Sequence, residues 1–135
     1  VKVIHVSTRT RSEMVPITAQ IQDAVREAGI EDGLVMAFVP HTTAGITINE
    51  QADPDVAADI IHTLDRLVPW NGPYAHEEGN AAAHVKATLV GASVMVPVEH
   101  GRLRLGTWQG IFLCEFDGPR SRQVWVSVVG PSRAK

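Results

Sequence analysis

Ser93-Val94-Met95-Val96-Pro97-Val98-Glu99-His100-Gly101-Arg102-Leu103-Arg104-Leu105 leads through a glycine-rich bend into Gln109-Gly110-Ile111-Phe112-Leu113-Cys114-Glu115-Phe116-Asp117-Gly118-Pro119, and then into Gln123-Val124-Trp125-Val126-Ser127-Val128-Val129. Ser93 to Val98 and Leu103 to Leu105 flank His100-Gly101 as the arms of a hairpin, and Gln109 to Phe116 is a further apolar run. In the last run Val124, Val126 and Val128 alternate with Gln123, Trp125 and Ser127, the period of two expected of a strand with one buried face. Asp117-Gly118-Pro119 supplies the turn between the last two strands. No helical periodicity separates these four strands. A doubly wound parallel sheet needs such helices, so the pattern points to an α+β fold with a largely antiparallel sheet or sandwich.

Toward the amino terminus the period changes twice. Val1, Val3, Ile4 and Val6 roughly alternate with Lys2, His5 and Ser7, which predicts a strand running into the polar segment from Thr8 to Ser12. Ile17, Ile21, Ala24, Val25 and Ala28 form one helical stripe, predicting a helix over Pro16 to Ala28 with Gly29 at its carboxyl cap. Leu34 to Val39 and the β-branched run Ile46 to Ile48 read as strands, with Pro40 to Gly45 as the corner between them. Asp53 caps a second helix that starts at Pro54 and ends before Pro69. The alanine-rich stretch from Asn80 to Val90 predicts a third, and Trp70 to Gly79 is a loop. The count is about seven strands and three helices.

At 135 residues the chain has room for one domain, residues 1–135, large enough to bury roughly two thirds of its surface without disulfides or structural metal. A bound metal would therefore be functional. Twelve basic against fifteen acidic side chains give a net charge of −3, which argues against nucleic acid or an anionic membrane as the main partner. No apolar run approaches the roughly 20 residues of a membrane span, and Val1 to Arg11 lacks the continuous apolar segment of a signal peptide. With Cys114 as the single cysteine, the expected compartment is the cytoplasm.

Three of the six histidines lie at element edges beside small or polar residues: His41, His76 and His84. His41 ends an apolar strand in a glycine-containing corner; His76 and His84 bracket a loop entering the third helix, where Asn80 and His84 share a face one turn apart. Three imidazoles with an open fourth position suit a catalytic zinc site, although a corner histidine bonded to Thr42 or Thr43 is the simpler reading of His41. Glu50, leaving an apolar strand, could point into the same cavity as an acid or base. Asp53 is explained by capping, and His62, with Asp55 and Asp59, by a solvated helix face. His5 and His100 read as strand and turn residues. Glu115 lies in an apolar run and needs a partner, with Arg120 or Arg122 available across the turn. The segment Gly101 to Gly110 could bind an anion through Arg102 and exposed backbone amides, or could be a hairpin and bulge. Neither a phosphate loop nor a nucleophile elbow is present.

His41-Thr42-Thr43-Ala44-Gly45-Ile46-Thr47-Ile48-Asn49-Glu50 with Asp53-Pro54, Ala83-His84-Val85-Lys86, and Gly101 to Ile111, taken in order, closely resemble the YjbQ family, also called the UPF0047 or secondary thiamine-phosphate synthase family. The resemblance covers nearly the whole chain. It implies a β-sandwich of about seven or eight strands with three helices, association as a homotrimer, and a divalent metal, Zn or Mg, near the histidines. The activity it implies is a thiamine phosphate synthase-like transfer, joining hydroxymethylpyrimidine diphosphate to a thiazole phosphate with loss of pyrophosphate. The family pattern falls on His41, Asn49, Glu50, Asp53, His84, Lys86, Arg102, Thr107, Gln109 and Glu115. On this reading His41, His84 and His76 hold the metal, and Glu50 acts as acid, base or support. Arg102, Lys86 and Arg120 hold phosphate, with Asn49, Thr107 and Gln109 also at the substrate. A metal-dependent hydrolase of a phosphate or acyl substrate, or a non-catalytic metal- or ligand-binding protein, is the alternative.

Overall fold

Residues 1–131 are described by the computed structural model. In chain order they form β1 (Lys2–Ser7), β2 (Glu13–Pro16), α1 (Thr18–Ala28), β3 (Gly33–Phe38), β4 (Ala44–Glu50), α2 (Pro54–Leu67), α3 (Ala81–Val90), β5 (Ser93–Glu99), β6 (Arg102–Leu103), β7 (Gln109–Glu115) and β8 (Ser121–Val129). Two sheets result, one in the order β1-β8-β3-β5-β6 and one in the order β2-β7-β4. All their pairings are antiparallel.

Strand parity decides what lies between the sheets. Ile4, Val6, Val35, Ala37, Val96, Val98, Val124 and Val126 line the inner face of the five-stranded sheet and meet Ile46, Ile111 and Leu113 of the other. Ile21, Ala24 and Val25 of α1 join the same core. The opposite face of β7 carries Cys114 and Phe116, which pack on Ala83 and Ala87 of α3, with Ile61, Leu64 and Trp70 around them. β7 is therefore covered on both faces, which is why its sequence is a continuous apolar run rather than an alternating one.

The expected hairpin is present: β5 pairs with β6, and His100 (φ 54°) and Gly101 (φ 74°) both take the left-handed conformation of a primed turn. β6 is shorter than the predicted Leu103 to Leu105. The Asp53 carboxylate accepts the Asp55 N–H at 2.9 Å, as an N-cap should.

Two expectations need correction, both at the amino-terminal end. The strand β2 was not predicted, because Met14 and Val15 are its only apolar interior and Pro16 reads as a helix start. As an edge strand pairing only with β7, it tolerates that proline, and the first helix begins at Thr18 instead. Asp117-Gly118-Pro119 lies between β7 and β8 as expected, and it carries the chain from one sheet to the other. The Pro40 to Gly45 corner likewise carries the chain from one sheet to the other.

α3 lies tightly on β4 where glycine permits it. A Cβ on Gly45 would meet the Gly91 carbonyl oxygen at 2.7 Å and Val90 Cγ1 at 3.0 Å. Gly45→Ala must push α3 off the sheet, and should lower stability by about 1–3 kcal/mol. Urea unfolding followed by far-ultraviolet circular dichroism measures the cost.

Candidate functional site

Two of the crossings between sheets, from β3 to β4 and from β7 to β8, come together at one end of the sandwich. Their meeting point is an ion pair. Glu115, the last residue of β7, continues the inward parity of Ile111 and Leu113, while Arg122 shares the inward parity of Val124 and Val126 on β8. Glu115 is 0% and Arg122 5% exposed. The guanidinium forks onto the carboxylate, with Nε donating to Oε1 at 2.8 Å and Nη2 donating to Oε2. Nη2 also donates to Thr43 Oγ1 at 2.8 Å, tying in the first crossing. Thr8, just past β1, donates its hydroxyl to Glu115 Oε1 at 2.8 Å and accepts the Arg120 N–H at 2.8 Å. The Phe116 and Asp117 amides complete the shell at 3.1 and 2.9 Å. Gly118, whose bond to Pro119 is cis, has no room for a side chain, because a Cβ would lie 2.3 Å from the Thr10 carbonyl oxygen.

Burial alone would push the Glu115 carboxyl up; hydrogen bonds from Arg122, the Asp117 amide and Thr8, with the Arg122 charge, outweigh it and hold the group below its ordinary value. His41 sits beside this pair and accepts the Gln123 N–H on Nε2 at 2.9 Å. Burial, and then the Arg122 charge, lower its pKa.

One shell outward, Asp117 accepts the Asn80 side-chain amide at 2.9 Å and Arg120 Nη2 at 3.0 Å, and its carbonyl oxygen accepts Arg120 Nε at 2.8 Å. Asn80 opens α3. Its Oδ1 is buried and, among the described residues, has no hydrogen-bond partner. One turn along, the His84 ring meets His76 edge-on, with centroids 5.2 Å apart. The loop does fold back over the helix start and bring these two imidazoles together.

His41 does not join them as a third ligand. Its Nε2 is occupied by Gln123, and among the described residues no group of three or more His, Cys, Asp or Glu side chains could hold a metal ion. Glu50 does not share a cavity with His41 either. It ends β4 opposite Gln109, while Ala44 at the other end of the strand faces Glu115, about 20 Å away at roughly 3.3 Å per residue. Asn49, Thr107 and Gln109 stay with Glu50 at that far end, where Thr107 and Gln109 line a small cavity with Thr18 and Gln51.

The Gly101 to Gly110 segment is no amide cradle for an anion. The Gly106 N–H donates to Gln109 Oε1 at 2.8 Å and the Gln109 N–H to the Gly106 carbonyl at 3.1 Å. Arg102 pairs through its backbone with Glu99 in the β5–β6 hairpin. Lys86 is 2% exposed and bonded to Asp65 of α2. Arg120 alone of the proposed phosphate ligands stands beside the histidine pair's support, held by Asp117. His62 lines a shallow surface hollow with Ala57, Ala58 and Ile61. Cys114 is buried, which pushes its thiol up to about 12, so it is not a nucleophile at neutral pH.

A sandwich of two antiparallel sheets, closed by a buried ion pair and covered on its smaller sheet by a helix pair, defines a class of small α+β protein. Residues 2–131 match the model of the family described as UPF0047 protein YjbQ-like, and the chain belongs to this family. It is 50% identical to UPF0047 protein YugU of Bacillus subtilis over 130 residues, covering 96% of this chain and 98% of that one. It is also 50% identical to UPF0047 protein MJ1081 of Methanocaldococcus jannaschii over 126 residues, 93% and 91% of the two chains. The crystal structure of an uncharacterized YjbQ/UPF0047 family protein from Clostridium acetobutylicum superposes with a TM-score of 0.94 at 50% identity, covering 96% of this chain and all of the other.

Glu115→Gln leaves Arg122 buried without its counter-charge and should cost about 3–5 kcal/mol in urea unfolding. The pH dependence carries the sign. Because the folded carboxyl lies below its ordinary 4.5, its stabilisation is complete above that pH and is lost as pH falls through the folded value. His41, also lowered, adds a further loss as pH drops below 6.5. Unfolding midpoints measured from pH 7 downward should show both slopes in the wild type and only the His41 slope in Glu115→Gln.

Proposed function

We propose that this chain is a metal-assisted enzyme acting on a small phosphorylated substrate, as a homotrimer in the cytoplasm. The observation that carries the reading is the His76–His84 pair, two imidazoles in edge contact, one of them a helical turn from Asn80, whose buried side-chain oxygen has no donor among the described residues. The donor set fits a transition metal better than Mg²⁺, since imidazole suits Zn²⁺ whereas Mg²⁺ takes oxygen. Two protein ligands fall short of the three of a catalytic zinc site, so further ligands would come from water, substrate oxygens or a second copy. Bound there, the cation would supply charge stabilisation to a departing pyrophosphate.

The chain's own groups do the rest. Asp117 pins the Arg120 guanidinium by two of its donors and leaves the remaining N–H groups at a half-exposed edge for an oxyanion. Asn80, whose side-chain amide donates to Asp117, ties the start of α3 to this crossing and so holds His84 one turn along in place. No side chain here is an activated nucleophile, in keeping with direct transfer between two bound substrates, a diphosphate ester and a ring nitrogen, rather than through a covalent enzyme intermediate. Association is supported by the outer face of the five-stranded sheet, where Leu34, Met36, Met95, Trp125 and Val129 are exposed side by side.

Elemental analysis and equilibrium dialysis of tag-free protein with Zn²⁺ test the reading. About one ion per chain is expected, with binding weakened at least tenfold by His84→Ala or His76→Ala. No uptake, or uptake that neither substitution changes, removes the proposal. With metal present, turnover should require both a pyrimidine diphosphate and a thiazole phosphate. Cleavage of either ester alone would mark a hydrolase.

A further inference from the structure

A cavity of about 380 Å³ opens between the β1–β2 loop and the helix pair, lined by Thr10, Arg11, Ser12, Asp65, Trp70 and Lys86. None of the histidines lines it. His84 and Lys86 are two residues apart on α3, roughly 200° around the helix, so they face different surroundings.

Lys86 reaches this cavity from the interior. Its side chain is 2% exposed and passes Phe116, whose ring centre lies 6.0 Å from Nζ. The ammonium carries three donors, and among the described residues its one hydrogen bond goes to Asp65, a carboxylate that is itself 51% exposed. A buried cation balanced by one solvent-facing carboxylate is an expensive arrangement for stability alone, because most of the desolvation falls on the ammonium.

A second cation faces it. The Arg11 guanidinium stacks on Trp70, 4.2 Å from the ring centre, and no carboxylate among the described residues pairs with it. Stacking fixes the guanidinium plane and leaves its N–H edge available for bidentate contact with an oxyanion. The loop that carries it is itself held. Glu13 accepts the Arg9 and Thr10 N–H groups at 2.5 and 3.0 Å, and the Arg11 carbonyl accepts the Gly118 N–H at 3.1 Å. Thr10 and Ser12 add hydroxyls. Two cations against one carboxylate make this wall locally positive in a chain whose net charge is −3.

We propose that this cavity is a binding site for a small oxyanion of the phosphate monoester class, held between the Lys86 ammonium and the Arg11 guanidinium. Asp65 occupies the anion's place in the unliganded protein and swings to solvent when the ligand enters. The volume is several times that of a bare phosphate and takes a phosphorylated small molecule. The site does not rest on the histidine reading and stands or falls without it.

Inorganic phosphate is the probe, titrated at constant ionic strength and followed by calorimetry, by the Trp70 indole N–H resonance and by thermal shift. Saturable binding with a Kd of roughly 1 mM or tighter is expected, with the Trp70 resonance moving in step. Arg11→Gln, on the surface loop, should weaken it at least about tenfold, and Lys86→Met similarly if that variant folds. Asp65→Asn removes the resident negative charge, so phosphate should raise its Tm by more than it raises the wild type's. His84→Ala should bind phosphate as the wild type does. Absence of saturation by about 10 mM, binding unchanged by Arg11→Gln, or binding lost in His84→Ala but kept in Arg11→Gln, would each overturn the proposal.

Discussion

Glu115 and Arg122 sit on different sheets, at positions whose parity sends both side chains into the interior, and neither can be there without the other. A lone charge in that layer would cost several kcal/mol, whereas the bidentate pair with its threonine and amide partners occupies both carboxylate oxygens and the Nε and Nη2 donors of the guanidinium. The pair does more than neutralise. It gathers the end of β1, the corner before β4 and the crossing after β7 at one point, and so sets how the two sheets close on each other.

The candidate site inherits its geometry from that closure. Glu115 holds the Phe116 and Asp117 amides; Asp117 in turn holds Asn80 and Arg120; Asn80 begins the helix whose next turn presents His84 to His76. Each step is a hydrogen bond or a helical turn, so the position of the histidine pair follows from a charge pair in the core. The same extended strand that carries Gly45 under α3 carries Asn49 and Glu50 away to the other end. Residues that the sequence motif places close together are thereby divided between two ends of the sandwich.

Much of the fold was legible because period is a local property. The alternation in residues 123–129, the stripe in α1 and the Asp53-Pro54 cap each depend on a few neighbouring side chains, and each is where the sequence predicts it. β2 was illegible because an edge strand of four residues with a terminal proline carries almost no period. The sequence also named Arg122 as one possible partner for Glu115; on β8 it shares the inward parity of Val124, whereas Arg120 falls before the strand begins at Ser121. The site was harder to read, since convergence depends on distance across the fold. His76 and His84 met because one loop folds over one helix; His41 and Glu50 did not, because Glu50 lies at the far end of the extended strand β4. Arg11, Asp65 and Trp70 gave no signal at all, their only common feature being a cavity that exists after folding.

The register of β1 has a consequence for how this protein is made. Lys2 pairs opposite Val126 and Ser7 opposite Ser121, so among the described residues β1 has its ladder partner in β8, the strand farthest from it along the chain. β2 waits likewise for β7. During synthesis β1 and β2 remain unpaired while α1, α2 and α3 are made, and neither sheet is complete until β7 and β8 have followed. Pairing of both sheets thus follows the synthesis of the helices, and the polar side chains on the outward face of β1, His5 and Ser7, keep that waiting edge soluble.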